Sequence, residues 1–223
     1  MSMITAHSGC DGTEDNSLSF IRYALLTEAD CLEVDVRPDE SGILVLSHDE
    51  AGGQPVTLKE AFSLLSKHPD KKMNCDLKTK GLEAAVYHLA EEEGAEAQLI
   101  YSGETNPRGM KTERLKNYPN AEIFLNIENI EPHLMEPRIS EAERDVLMSL
   151  ALKQAKSFGA HCINMEYHLL TPSALRTLKE EELTASVWTV NDEADIRRFL
   201  DEPLVENITT RNLKAALALK IGA

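Results

Sequence analysis

The sequence predicts an α/β fold, a single-domain TIM (β/α)8 barrel. Short apolar segments alternate with amphipathic segments along nearly all of the 223 residues. Strand, helix, strand at this cadence indicates parallel strands joined by crossover helices. The length suits one domain with a substantial core, and it lies near the lower limit for eight strand–helix units. We therefore expect one barrel domain over residues 1–223.

Nine segments are predicted strands because they are short, apolar and bounded by turn-forming residues. The segment 43–48 is expected to form a hairpin with 31–36 through the turn at 38–42, which leaves eight strand–helix units. The predicted strands are residues 3–7, 31–36, 43–48, 72–77, 98–101, 121–127, 161–165, 184–190 and 205–209.

Eight segments between these strands are predicted helices. In residues 82–93, for example, Val86, Leu89 and Ala90 recur at helical spacing and acidic residues occupy the other face. A doubly wound open sheet is the alternative, but no Gly-x-Gly-x-x-Gly motif follows the first strand. The only long loop expected is 131–139. The predicted helices are residues 17–28, 58–67, 82–93, 111–117, 140–158, 172–181, 193–200 and 211–220.

Composition and charge favour a small-molecule substrate. Acidic residues outnumber basic ones by 38 to 23, so the net charge of −15 repels nucleic acid and anionic lipid surfaces. No apolar run is long enough for a membrane span, and the N-terminus lacks the features of a signal peptide. The scattered cysteines Cys10, Cys31, Cys75 and Cys162 fit neither a disulfide framework nor a structural zinc site. A cytoplasmic protein is expected.

A cluster of acidic residues predicts a divalent metal site. Glu33 and Asp35 are two apart on a strand, so their side chains project to the same face. Asp76 ends the following parallel strand and adds a third oxygen ligand. Hard cations such as Mg²⁺ and Ca²⁺ prefer such ligands, whereas zinc is disfavoured because no cysteine pair or His-x-x-x-His is present. The alternative is a solvated strand end with incidental acidic residues.

Two histidines accompany these acids. His7 ends the first strand and His48 follows the hairpin, and imidazole groups can act as a general acid and base near neutral pH. His68, His88, His133 and His161 are interpreted as structural, and His168, close to Glu166, is left open.

Three further segments carry polar or aromatic residues near strand ends. Lys78 shares the face of Asp76 and could neutralise a phosphate oxygen, or it is a surface lysine. Trp188 could line a pocket mouth or fill the barrel. Asp15, Asn16 and Ser17 precede a helix and are interpreted as its cap.

Together these motifs resemble those of the glycerophosphodiester phosphodiesterase family, in the same order and from end to end. Each motif alone is short, and the ordered set carries the resemblance. The family's His-Arg-Gly, Pro-Glu-Asn-Thr, Glu-x-Asp-Val, Gly-x-x-Val-x-x-His-Asp, Glu-x-Lys and Trp-Thr-Val-Asn are similar to residues 7–9, 14–17, 33–36, 42–49, 76–78 and 188–191.

The resemblance implies a metal-dependent phosphodiesterase that hydrolyses small glycerophosphodiesters, such as glycerophosphocholine, to glycerol 3-phosphate and an alcohol. It implies one divalent cation, Mg²⁺ or Ca²⁺, as cofactor. The implied metal ligands are Glu33, Asp35 and Asp76, and the implied catalytic acid and base are His7 and His48. The residues expected to bind substrate are Ser8, Lys78, Glu166 and Trp188.

Three departures from the family pattern leave alternatives open. Ser8 stands where the family has a phosphate-binding arginine, and serine cannot replace its bidentate contact. The stretch between His48 and Asp76 lacks the family's inserted subdomain, and residues 208–210 replace a closing Thr-Asp. The short insert and the third aspartate are similar to the sphingomyelinase D branch. A degenerate barrel that binds a phosphorylated ligand, or cleavage of lysolipid headgroups, is therefore the alternative.

Overall fold

The computed structural model describes residues 2–50 and 54–222, and these form a closed barrel of eight parallel strands. β1 pairs with both β9 and β2, which closes the barrel. β3 lies outside this ring and pairs antiparallel with β2. The strands are β1 (Met3–Ala6), β2 (Cys31–Pro38), β3 (Leu44–Leu46), β4 (Lys72–Leu77), β5 (Leu99–Gly103), β6 (Glu122–Asn126), β7 (Cys162–Glu166), β8 (Thr184–Trp188) and β9 (Val205–Thr210).

The helices connect successive strands and surround the barrel. The helices α2 and α5 each begin with a capping box, in which Thr57 pairs with Glu60 and Ser140 pairs with Glu143. No helix in residues 2–50 and 54–222 combines the length and the apolar character of a bilayer-spanning segment. The helices are α1 (Leu18–Leu25), α2 (Leu58–Leu65), α3 (Glu83–Glu93), α4 (Glu113–Asn117), α5 (Glu141–Phe158), α6 (Pro172–Glu180), α7 (Glu193–Leu200) and α8 (Leu213–Ile221).

The predicted TIM barrel is confirmed, and the pairing of β1 with β2 excludes the open sheet. Each predicted strand and helix overlaps an observed one, and the differences lie at the ends. The first helix begins at Leu18 because Ser17 is its cap, with the Ser17 hydroxyl accepting from the Phe20 N–H at 3.1 Å. The predicted loop 131–139 contains a 3₁₀ turn at Pro132–Met135.

Two apolar regions stabilise the barrel. The larger one lies between strands and helices, where alternate strand residues such as Val34 and Met165 pack against helix residues such as Phe62. The smaller one lies inside the barrel near the amino ends of the strands. It consists of Cys31, Ile100, Phe124 and Cys162, with Met3 packed against them.

Polar side chains replace apolar ones inside the barrel above this layer, and they bond to one another. The Thr5 hydroxyl donates to Asn207 Oδ1 at 2.7 Å. The Asn207 amide nitrogen donates to the Ser186 hydroxyl at 2.9 Å and to Thr209 Oγ1 at 3.1 Å. Asn207 is completely buried, so these bonds replace the water it loses on folding. The network joins β1, β8 and β9 directly below the carboxyl ends of the strands.

The substitution Thr5→Val should destabilise the protein because it leaves Asn207 Oδ1 unpaired inside the barrel. We expect the free energy of unfolding to fall by about 1–3 kcal/mol, measured by urea denaturation. The matched control is Thr177→Val, at a buried threonine whose hydroxyl makes only a 3.4 Å contact with the carbonyl of Ser173. Equal losses for the two variants would contradict the assigned role of the network.

Candidate active site

A cavity of about 410 Å³ opens at the carboxyl ends of the barrel strands. This is the end at which parallel barrels hold their active sites, because the loops there vary while the strands fix their ends. The described lining is mostly polar or charged. It includes His7, Asp15, Glu33, Asp35, His48, Asn74, Asp76, Lys78, Glu104, Asn126, Glu128, Asn129, Asn164, Trp188 and Arg211.

The three predicted metal ligands converge in this cavity. Glu33, Asp35 and Asp76 each offer a carboxylate oxygen, and these oxygens lie within 4.8 Å of one another. Parallel pairing of β2 with β4 causes this convergence, since Asp35 lies opposite Asp76 and Glu33 lies opposite Asn74. Glu33 and Asp35 are only 5% and 6% exposed.

Burial and mutual repulsion raise the pKa of two of these acids, Glu33 and Asp76. Burial raises the pKa of Glu33 well above its usual value, and the charges of Asp35 and Asp76 add to the shift. Burial also raises the pKa of Asp76, although Lys78 opposes the shift. Without a bound ion, the three carboxylates therefore have too little positive charge around them, and a bound cation would relieve their mutual repulsion.

Lys78 supplies part of the missing charge. Its ammonium nitrogen lies 2.8 Å from Asp35 Oδ1 and 2.8 Å from Asp76 Oδ2. Burial lowers the pKa of Lys78, but the two aspartates outweigh burial and raise it above its ordinary value. Lys78 is thus a charged residue of the cavity and not a surface lysine.

The acidic cluster fits a divalent cation by charge and by its unused ligand atoms. Three ionised carboxylates and one ammonium leave two net negative charges. Among the described residues, the buried atoms Asp76 Oδ1 and Asn74 Oδ1 have no hydrogen-bond partner. Unpaired buried oxygens are costly in the protein alone and are suitable ligands for a hard cation. Asn74 is a possible ligand that the sequence analysis missed.

His7 lies beside the cluster with one ring nitrogen already engaged. Its Nδ1 is 2.8 Å from the carbonyl oxygen of Ser8 and 3.9 Å from Glu33 Oε2. The carbonyl can only accept, so Nδ1 carries the proton in this bond and Nε2 has a free lone pair. Burial lowers the pKa of His7, which keeps the ring neutral at neutral pH.

His48 lines the rim of the cavity. Its side chain is 70% exposed, and its Nδ1 lies 3.1 Å from Asp49 Oδ1. The pairing orients the ring without burying it. The structure thus brings both predicted histidines to the cavity that contains the acids, one half-buried and one at its mouth.

Two residues predicted to bind substrate lie outside the described lining of the cavity. Ser8 is 1% exposed, and its hydroxyl accepts a 2.6 Å hydrogen bond from the backbone N–H of Asn16. The Glu166 carboxylate bonds to the backbone N–H and the ring of His168. Both side chains are bonded to neighbours in the protein, so neither the Ser8 hydroxyl nor the Glu166 carboxylate is among the described groups that line the cavity.

Asn16 binds Asp35 and does not cap the helix, a role that Ser17 alone takes. Its amide nitrogen donates to Asp35 Oδ2 at 2.7 Å, and its side-chain oxygen accepts from the Asp35 N–H at 3.0 Å. The Ser8 N–H donates to Glu33 Oε2 at 3.2 Å. These bonds orient the two carboxylates of β2, and local sequence patterns do not reveal them because the partners are distant in the chain.

The aromatic residue and several amides complete the lining. Trp188 lines the cavity, and its indole N–H is buried without a partner in the described part of the chain. Asn126 accepts from the backbone N–H of Gly103 at 3.0 Å and from the Asn164 amide at 2.9 Å. The sequence analysis singled out none of Asn126, Glu128 or Arg211, although each follows or ends a strand.

Solved structures of glycerophosphodiester phosphodiesterases share this fold. The enzyme from Parabacteroides distasonis has a TM-score of 0.73 and 18% identity over 99% of this chain and 97% of its own. One from Agrobacterium tumefaciens has a TM-score of 0.68 and 18% identity over 100% of both chains. A phosphodiesterase from Oleispira antarctica, in complex with the product sn-glycerol-3-phosphate, has a TM-score of 0.71 and 15% identity over 100% of this chain and 98% of its own.

No protein-family model and no curated protein matches this sequence. The structural similarity establishes a common fold, which is the fold that the sequence resemblance implied. At identities this low it establishes nothing beyond the fold. What the cavity does has to follow from its own residues.

The substitution Gly103→Ala should weaken divalent-cation binding by tenfold or more, on the order expected for a disturbed ligand support. A Cβ at Gly103 would lie 2.0 Å from Asp76 Oδ1 and 2.4 Å from the backbone oxygen of Leu77, so both the Asp76 carboxylate and the end of β4 would have to move. Titration calorimetry with Mg²⁺ and Ca²⁺ measures the effect.

Gly81→Ala is the matched control for this variant. Gly81 has φ +80 against +73 at Gly103, but a Cβ there meets nothing within 4 Å. It imposes a similar backbone strain without the collision. Unchanged cation affinity in Gly103→Ala would contradict the proposed ligand role of Asp76.

Proposed function

We propose that this protein is a metal-dependent phosphodiesterase that hydrolyses small glycerophosphodiesters to glycerol 3-phosphate and an alcohol. The observation that carries the proposal is the meeting of Glu33, Asp35 and Asp76 with His7 and Lys78 in one cavity. This set offers a cation site, a general base and a positive charge beside each other. Metal-assisted hydrolysis of a phosphodiester uses groups of these kinds.

The proposed cofactor is one Mg²⁺ or Ca²⁺ ion, held by the carboxylates of Glu33, Asp35 and Asp76. When bound, such an ion supplies polarisation of a phosphoryl oxygen. Asn16 and the Ser8 N–H would keep two of the carboxylates in place through their hydrogen bonds. The unpaired oxygens of Asp76 and Asn74 support a hard cation in preference to zinc.

His7 is the proposed general base. The Ser8 carbonyl fixes its tautomer, so Nε2 can take a proton from the attacking water or from a neighbouring substrate hydroxyl. The lowered pKa that burial gives to His7 keeps this nitrogen unprotonated near neutral pH. Lys78 stays charged and keeps the aspartates oriented.

His48 is the proposed general acid. Its position at the rim suits a proton donor to the alcohol that leaves toward solvent. When water attacks, a new P–O bond forms to its oxygen as the P–O bond to the alcohol breaks, which gives glycerol 3-phosphate directly. When the neighbouring hydroxyl attacks, the same exchange of bonds gives a cyclic phosphate, and a water then opens it with the roles of the two histidines reversed. In the attack on the diester, one proton passes to His7, and one passes from His48 to the alcohol oxygen.

The lining favours a small polar substrate over a lysolipid. Leu77 and Trp188 are the large apolar side chains among the described lining residues, and the rest are polar or charged side chains and one glycine. An acyl chain would find no apolar groove among these described lining residues.

The four buried thiols are consistent with the proposed cytoplasmic location, where cysteines stay reduced.

The direct test is release of glycerol 3-phosphate from glycerophosphocholine, with Mg²⁺, with Ca²⁺ and with a chelator. We expect release with at least one cation and none with the chelator. Calorimetry with glycerol 3-phosphate separates the alternative of a non-catalytic binding barrel. Binding without turnover of glycerophosphocholine, glycerophosphoethanolamine or glycerophosphoglycerol under either cation would refute the enzyme.

The substitution His7→Ala should lower kcat about 10²- to 10⁴-fold, the usual contribution of a general base. His88→Ala is the control, because His88 lies on α3 and pairs with Glu91 outside the cavity. Circular dichroism verifies that both variants fold. Full activity in His7→Ala would remove His7 from the proposed mechanism.

A further inference from the structure

A phosphoryl group in the cavity would need a positively charged side chain, and the residues discussed so far do not offer a free one. Position 8 carries a buried serine whose hydroxyl is bound to Asn16. Lys78 already contacts two aspartates at 2.8 Å. Six acidic side chains line the cavity, and an anionic diester is repelled by them. Of the described lining residues, the only lysine or arginine besides Lys78 is Arg211.

Arg211 follows β9 at the carboxyl end of the barrel and has a firmly held backbone. Its N–H donates to Asn191 Oδ1 at 2.9 Å. Its carbonyl accepts from the Asp11 N–H at 2.9 Å. The segments of Asn191 and Asp11 thus fix the position of the Arg211 Cα, which reduces the entropy lost when the side chain binds a ligand.

The guanidinium group crosses above Gly9, next to His7. Its Nη1 lies 3.1 Å from Asp15 Oδ1, and its Nη2 lies 3.2 Å from Asp15 Oδ2. A Cβ on Gly9 would lie 1.7 Å from Asp15 Oδ1 and 3.1 Å from Nη1 of Arg211, so glycine makes room for this pair. Arg211 and His7 line the same cavity, which places the guanidinium near the proposed reacting groups.

We propose that Arg211 binds the phosphoryl oxygens of the substrate. Asp15 occupies only part of the planar fork of N–H donors, and the side chain is 43% exposed. The remaining donors can bind a phosphoryl oxygen by charge-assisted hydrogen bonds. The inference rests on the proposed function, because that function supplies the phosphodiester.

Asp15 is the counter-ion that orients Arg211 when no ligand is present. It also competes with the ligand, because its carboxylate uses two of the guanidinium donors and adds negative charge to the cavity. Removing the charge of Asp15 should therefore strengthen anion binding, whereas removing Arg211 should weaken it. A purely structural ion pair would give the same sign for both changes.

The test compares Arg211→Gln, Arg211→Lys and Asp15→Asn with the wild type by titration calorimetry. The probes are inorganic phosphate and sn-glycerol 3-phosphate, each with Mg²⁺ present and with a chelator. Arg211→Gln should weaken binding about 10- to 100-fold, the loss expected for a charge-assisted bond. Arg211→Lys should lose less, because the charge remains and only the fork is lost. Asp15→Asn should bind more tightly than the wild type.

Kinetics on glycerophosphocholine give a second measurement. Arg211→Gln should raise KM more than it lowers kcat, because the contact forms with the ground state as well as the transition state. Its Mg²⁺ affinity should stay at the wild-type value, since the carboxylate cluster is intact. Arg197→Gln, on the outer helix α7, serves as the matched arginine control.

The outcomes separate this inference from the proposed function. If no diester is hydrolysed but Arg211→Gln still weakens phosphate binding, the anion site stands and the hydrolase does not. If the wild type hydrolyses diesters and Arg211→Gln binds and turns over substrate as the wild type does, the inference is overturned. Equal weakening by Asp15→Asn and Arg211→Gln would also overturn it, since the pair would then be structural.

Discussion

The parallel register between β2 and β4 is the constraint on which the cavity depends. It places Glu33 beside Asn74 and Asp35 beside Asp76, all on the inner face of the barrel. A slip of one residue would turn each of these side chains into the apolar layer under the helices. The apolar residues between them, such as Val34 and Cys75, are completely buried on the outer face and fix the register. Hydrophobic packing outside the barrel thus determines where the charges meet inside it.

This arrangement opposes folding in the protein alone. Carboxylates brought together away from water repel one another and lose hydration, and Lys78 compensates for only part of the charge. Hydrogen bonds from Asn16 and Ser8 hold the acids in place without neutralising them. A ligand that completes the charge would therefore stabilise the folded state, since it binds that state alone. The same imbalance that weakens the fold prepares the cavity for a cation.

Much of the fold and part of the site followed from local patterns. The alternation of strands and helices predicted the barrel, and the spacing of Glu33 and Asp35, two residues apart, placed their side chains on one face. The catalytic, metal and substrate roles stay predictions. Long-range contacts were beyond local reasoning: Asp15 and Arg211 pair although 196 residues separate them. Glu166 ends β7, and its carboxylate bonds to the backbone N–H and the ring of His168, two residues away. Strand position sets a direction, and the nearest available donor determines where a flexible side chain finally lies.

The apolar layer of Cys31, Ile100, Phe124 and Cys162 seals the barrel below the cavity. The polar network around Asn207 adds a second closed level above it. Among the described residues, a molecule in the cavity therefore has one way in and the same way out. Under the proposed function, product and incoming substrate would compete for this mouth, so escape of the phosphorylated product past Arg211 and His48 would be set against entry of the next diester. The closed lower half of the barrel would in this way impose an order of events on the upper half.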